Sequence, residues 1–465
     1  MKNRIRRIYD LFRQALNGSE KEYTSGSIDK AIFLLSIPMV LEMVMEGLFA
    51  LVDIFFVSKL GKEATATVGL TEVVMTQVVA LALGLSMATT AMVARRIGEK
   101  DREGASVAAM QAIIIGIICC TVIAIIFYFT SEDILRFMGG SEELIRTGNG
   151  YTRLLLTGSS TLFFLFLLNA IFRGAGDAAI AMRVLILANG LNMILSPVFI
   201  FGVGPFPELG VTGAAVGTTI GRGIGVAYAA WHLFRPGGRI HVSRASWMLD
   251  TELLARLVKL SSTAVFRLLV ATASWTALMP IVAAFGEVAI AGYVIALRVV
   301  MFALLPALGL SNAAATMVGQ NLGAGKPERS ESAVWKAAGF NTVLYFLIGA
   351  VFWLFSAPII GIFTQEPEVF AYGTSALHII AYGFAFYGLG MVLETAFNGA
   401  GDTWTPTYLN IFVFWLFEIP LAYLLAYYFE MGPSGVFWAI TIAFSVLAIA
   451  SAILFKRGKW KLKKV

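Results

Sequence analysis

The chain has 465 residues, of which 58% are apolar and 14% charged, and its net charge is +6. A soluble domain carries roughly 25% charged residues, so the composition excludes an ordinary soluble enzyme and places the chain in a bilayer. The positive excess sits in connections between apolar runs, and no basic patch interleaved with aromatics points to a nucleic-acid partner.

In chain order, residues 1–27 form a polar, amphipathic arm (IRRIYDLFRQAL) without the small-residue cleavage site of a removable signal peptide. Apolar runs follow at 31–57, 66–95, 107–129, 147–172, 180–203 and 212–234. A polar linker spans 235–255, and six more runs lie at 256–284, 289–318, 337–363, 370–396, 405–429 and 433–456, before a basic tail at 457–465. About 20 apolar residues cross the hydrocarbon as a helix, so the expectation is an all-α polytopic membrane protein with twelve transmembrane helices. A porin-type barrel is excluded because its strands alternate polar and apolar residues.

Basic residues fix the expected orientation. Lys2, Arg4, Arg6, Arg7 and Arg13 lie in the arm, Arg95, Arg96, Lys100 and Arg102 after the second run, Arg235, Arg239 and Arg244 in the linker. The tail adds Lys456, Arg457, Lys459, Lys461, Lys463 and Lys464, while connections of the other parity carry acids such as Glu132, Asp133, Glu142, Glu143, Glu208, Glu287, Glu366, Glu368 and Glu430. Both termini are therefore expected in the cytoplasm, with the chain in the inner, cytoplasmic membrane. Cys119 and Cys120 are adjacent in an apolar run and read as packing residues, with no metal-ligand spacing.

The chain repeats itself. Phe172–Asp177 (FRGAGD) and Phe397–Asp402 (FNGAGD) lie 225 residues apart. At the same offset GLSMATTAMVARRIGEKDRE (84–103) and GLSNAAATMVGQNLGAGKPE (309–328) share eight of twenty residues. The period is too long for a solenoid and fits two pseudo-symmetric six-helix lobes, residues 28–234 and 256–456, around a central pathway. The Gly-x-Gly-Asp ends read as tight turns.

Charges inside the spans carry the chemistry, because each costs roughly 2.5–3.5 kcal/mol on insertion scales. Glu42, Glu46 and Asp53 fall in the first run. At about 100° per residue, Glu46 lies about 40° and Asp53 about 20° from Glu42, so the three share one stripe. Such a stripe must face a protein interior or a water-filled cavity. Grouped carboxylates there serve as exchangeable proton carriers or as oxygen ligands for a small hard cation. Glu72, Arg298, His378, Glu394 and Glu418 also lie within runs, and Arg267 and Arg298 are the cations that stand out there. The repeat sets Arg267 on Glu42 and Glu394 on Asn169, which suggests a Glu42–Arg267 ion pair between the lobes. Arg267, Arg298, Glu394 and His378 are thus candidates for a substrate cavity or lobe-to-lobe electrostatics.

LVDIFFVSKLG (51–61), the FRGAGD and FNGAGD pair, VARRIGEKD with VGQNLGAGKPE, and NMILSPVFIFGVG with LGVTGAAVGT together resemble the multidrug and toxin extrusion (MATE) family of secondary transporters. The resemblance implies two six-helix lobes that export amphipathic or cationic organic compounds against inward H⁺ or Na⁺ by alternating access. It makes Asp53 the cation-coupling residue (with no metal site expected apart from Na⁺ as the alternative coupling ion there), with Asn169, Asn192 and Thr218 lining the same lobe. Ser196 stands where the family commonly has aspartate, and Glu46 or Glu42 is the residue available to compensate. The seventh span lacks the acid of Na⁺-type members, which favours H⁺. The expected partners are small organic substrates and the lipid bilayer, the chain acting as a monomer without a cofactor.

The nearest rival is a flippase for a lipid-linked saccharide or cell-wall precursor, which needs several free Arg and Lys for pyrophosphate. A membrane-embedded enzyme has little to work with: there is no HExxH, GxSxG or P-loop, and the histidines are His232, His241 and His378.

Overall fold

A computed structural model describes residues 2–18, 22–242 and 244–463. Lys464 of the basic tail lies outside the described residues. The amphipathic arm forms α1 (Lys2–Asn17). The first lobe contains α2 (Ile28–Ser58), α3 (Lys62–Gly98), α4 (Arg102–Phe137), α5 (Glu142–Thr157), α6 (Ser159–Gly174), α7 (Ala178–Phe201) and α8 (Val211–Phe234). The second contains α9 (Thr251–Ala283), α10 (Glu287–Gly323), α11 (Pro327–Gly361), α12 (Pro367–Gly399), α13 (Trp404–Asn410), α14 (Ile419–Tyr423) and α15 (Pro433–Lys456).

These elements supply the twelve spans, and their starts follow local chemistry. Ser27, Asp101, Ser141 and Asp250 each accept a hydrogen bond from a backbone N–H of the first turn of α2, α4, α5 and α9, filling donors that a helix start leaves open. Two spans differ from a plain helix. The fourth is split at Gly158 into α5 and α6, and the eleventh is wound as π-helix over Ile411–Glu418 and Leu424–Tyr428 between α13 and α14. Hydropathy averages over a window, so a local change of winding leaves no trace in it. The longest helices run past their apolar runs because polar flanks such as 327–336 stay helical outside the lipid.

The two GAGD segments are the tight turns their sequence predicts. Gly176 and Gly401 have φ of +81° and +82°, a region that favours glycine. Asp177 N donates to Phe172 O at 2.8 Å and Asp402 N to Phe397 O at 2.9 Å, closing both helix ends alike.

The lobes meet through contacts that obey the repeat. A Cβ at Gly98 would strike the Gln320 carbonyl, and one at Gly323 the Arg95 carbonyl; Gly84 abuts Val265, and Gly309 abuts Val40. Each contact is its partner shifted by 225 residues. From Gly98 to Gly84 this seam runs about 20 Å along α3, starting at the end that carries the termini. Thr316 Oγ1 donates to Arg173 O at 3.1 Å and Gln320 Nε2 to Gly174 O at 3.0 Å, so second-lobe side chains grip the FRGAGD turn. The first half of α2 joins a buried cluster with α10, α11, α12 and the tail, including Ile32, Leu35, Met39, Met317, Val334, Phe397 and Trp460. Among the described residues, no lobe-to-lobe hydrogen bond lies beyond Met87 and Arg267 toward the far end. The molecule is thus joined at its terminal end and looser at the other.

Candidate functional site

The acid stripe of α2 faces the interior of the first lobe, where α6, α7 and α8 meet it. Glu42 is fully buried; Arg173 Nη1 donates to its Oε1 at 2.5 Å and Asn169 Nδ2 to the same oxygen at 3.3 Å. One turn on, Glu46 accepts from Asn189 Nδ2 at 3.0 Å and lies 3.7 Å from Arg222 Nη2. The Arg222 guanidinium sits 5.0 Å from the centre of the Phe49 ring, which holds it against α2.

Asp53 is different. Among the described residues it forms no ion pair; its Oδ1, like Glu42 Oε2, is buried without a hydrogen-bond partner, and its polar neighbours are Arg222, Glu72, Ser196 and, from α5, Tyr151. Asn192 Nδ2 donates to Thr218 Oγ1 at 2.7 Å and Ser196 Oγ to Asn192 Oδ1 at 3.1 Å. A chain of small polar groups therefore ties α7 to α8 behind Asp53. With Glu42 and Glu46 held by arginines, Asp53 is the stripe's one acid without such an anchor.

The structure corrects two expectations. Glu42 does not pair with Arg267 across the lobes: it pairs with Arg173 of its own lobe, and Arg267 Nη1 lies 3.8 Å from Glu394 Oε2 in the other. The repeat explains this. Positions 42 and 169 touch in the first lobe, so positions 267 and 394 touch in the second, with an acid and amide replaced by a base and acid. Among the described residues, the hydrogen bond from Arg267 to the first lobe goes to Met87 Sδ, at 3.5 Å. The second correction concerns cations: Arg173 and Arg222 are buried as well as Arg267. Arg222 was legible in TTIGRGIGV, within the sixth apolar run. Arg173, at the end of the fourth run, hides in the turn motif.

Of the remaining candidates, Glu72 is the one within electrostatic range of Asp53. His378 Nε2 is 2.7 Å from Ser356 Oγ and 3.0 Å from Trp353 O, tying α12 to α11 inside the second lobe. Arg298 and Glu72 are exposed on α10 and α3 and within electrostatic range of each other, facing from opposite lobes. Outside the membrane, Asp177 shares a cavity of about 220 Å³ with His232, Arg235 and Arg239. Burial holds its carboxyl above the usual aspartate value, against the pull of Arg239 and Arg183. No set of three or more His, Cys, Asp or Glu among the described residues is arranged to hold a metal ion.

The MatE family profile matches residues 38–198 and again 264–424, one match per repeat. The chain is 26% identical over 460 residues to a probable multidrug resistance protein NorM of Thermotoga maritima, covering 98% of this chain and 97% of that one. It superposes with a TM-score of 0.87 and 29% identity on an outward-facing multidrug resistance MATE family transporter of the MOP superfamily, covering 93% of this chain and 96% of that one. A MOP superfamily transporter from Pyrococcus furiosus, described as having a binding pocket of reverse polarity that suggests a different function, gives 0.88 and 28%, covering 97% and 98%. Two family matches over two repeated lobes of twelve helices leave one assignment: this chain is an integral membrane transporter of the MATE family.

Proposed function

We propose that the protein exports amphipathic or cationic organic compounds across the cytoplasmic membrane, in exchange for an inward cation loaded at Asp53. Proton coupling is the first choice and Na⁺ the alternative. The observation that carries this reading is that Asp53, unlike Glu42 and Glu46, forms no ion pair among the described residues, while its Oδ1 is buried and unpartnered beside Ser196 and Arg222. An unpaired carboxylate in low dielectric favours the state in which a proton or cation neutralises it. Cation and cationic substrate then compete for one negative region, and loading either one expels the other. A potential of 100 mV, inside negative, adds roughly 2.3 kcal/mol per charge to inward cation flow.

The separate halves of the cycle fit the fold. With both termini in the cytoplasm, the seam through Gly98 and Gly323 seals the cytoplasmic end, and Asp53 lies in the half nearer the outside. Rocking about the seam exposes the site alternately. Glu42 and Glu46 hold α2 in register through Arg173 and Arg222 rather than carrying ions. The same pairs argue against a flippase for lipid-linked saccharides, since Arg173, Arg222 and Arg267 each face a carboxylate and are not free for pyrophosphate.

The test is dye efflux from everted vesicles under an imposed ΔpH or ΔNa⁺, one gradient at a time. The wild type should respond to ΔpH, and Asp53→Asn should abolish the response while the protein still inserts and folds. Full gradient-driven efflux by Asp53→Asn would remove Asp53 from the mechanism.

A further inference from the structure

We infer that the second lobe holds a proton-binding site of its own at Glu418, distinct from Asp53; this rests on the ion-coupled reading above. Glu418 closes the π-helical segment of the eleventh span and is 1% exposed. Its Oε2 is buried with no hydrogen-bond partner. The titratable groups facing it are Tyr293 from α10 and Tyr387 from α12, and no Arg, Lys or His among the described residues is within electrostatic range. Tyr293 Oη is spoken for, donating to Trp275 O at 3.3 Å, whereas Tyr387 Oη is buried without a partner. Glu42, Glu46 and Glu394 each have an arginine; Glu418 has none.

A bare carboxylate in that setting is untenable unless water or a cation enters, so the acid carries a proton here. The chemistry is the equilibrium of the neutral carboxyl with carboxylate and a proton released to water, with no other bond made or broken. The backbone supplies a route to that release. π-turns hold one residue more than α-turns and recur at functional sites, and Pro420, two residues on, lacks the N–H that would regularise the ladder. Rewinding the segment by one residue turns Glu418 by about 100° about the helix axis, changing what the carboxyl faces. Two windings of one helix thus give the group two environments, which is what a proton carrier requires.

Infrared difference spectroscopy of the full-length protein in liposomes tests the site directly, as a pH titration from about pH 5 to about pH 10. The wild type should show a protonated-carboxyl band that titrates, is lost in Glu418→Gln, shifts in Glu418→Asp and persists in Asp53→Asn. Proton-to-substrate ratios from reversal of efflux should fall by about one proton in Glu418→Gln. A band that never titrates, a band unchanged in Glu418→Gln, or an unaltered ratio would overturn the proposal. If Asp53→Asn exports normally while the Glu418 band titrates, the Asp53 reading fails and this one stands.

Discussion

Arg173 and Glu42 meet at 2.5 Å with both side chains sealed from solvent, and the Arg173 carbonyl accepts from Thr316 of the opposite lobe. One residue therefore anchors the acid stripe and the lobe seam together. Removing one member of a buried ion pair strands the other charge and costs about 3–5 kcal/mol, while replacing both with apolar groups is often near neutral. Arg173→Met and Glu42→Leu should each lower the unfolding temperature of the detergent-solubilised protein markedly. The double variant should recover most of the loss; strictly additive losses would show that the pair is not coupled.

The glycines of the seam give a conformational prediction. The Cβ of Gly98→Val would collide with the Gln320 carbonyl, and that of Gly323→Val with the Arg95 carbonyl, backbone atoms that cannot rotate aside. Either substitution should prop open the terminal end. In a background lacking Cys119 and Cys120, a cysteine placed on the seam at Thr316 should label faster with a thiol reagent in these variants. Equal labelling in the parent and both variants would mean that the seam is not what closes this end.

Asp177 supplies a pH prediction outside the lipid. Burial raises its carboxyl above the ordinary aspartate value of 3.8, so the folded state binds its proton more tightly than the unfolded one. Stability from this group is therefore present at low pH and is lost as pH rises from 3.8 through the raised folded value. Asp177→Asn should melt higher than the wild type at neutral pH, and the gain should vanish in acid. A gain independent of pH would point to packing instead of charge.

The architecture was open to reading from the chain because its signals are regional. Twelve apolar runs, the 225-residue offset and two GAGD turns are properties of long windows, and the described helices follow them. The site was legible in part. Spacing alone put Glu42, Glu46 and Asp53 on one stripe, and each meets the lobe interior. Pairing was not legible, because it depends on which neighbouring helix presents a cation at the right depth. Arg173 looked like turn furniture, and Arg222 was hidden among glycines. Nor did composition reveal that Asp53 alone of the stripe lacks an arginine bonded to it, since that follows from the other two being occupied.

The central claim is that substrate and coupling ion displace each other at Asp53. Calorimetric titration of a cationic substrate into the purified protein, repeated in buffers of different ionisation enthalpy, counts the protons released on binding. About one proton per substrate is expected for the wild type in mildly acidic buffer, and none for Asp53→Asn, which should still bind. The same proton release in Asp53→Asn as in the wild type would contradict the account.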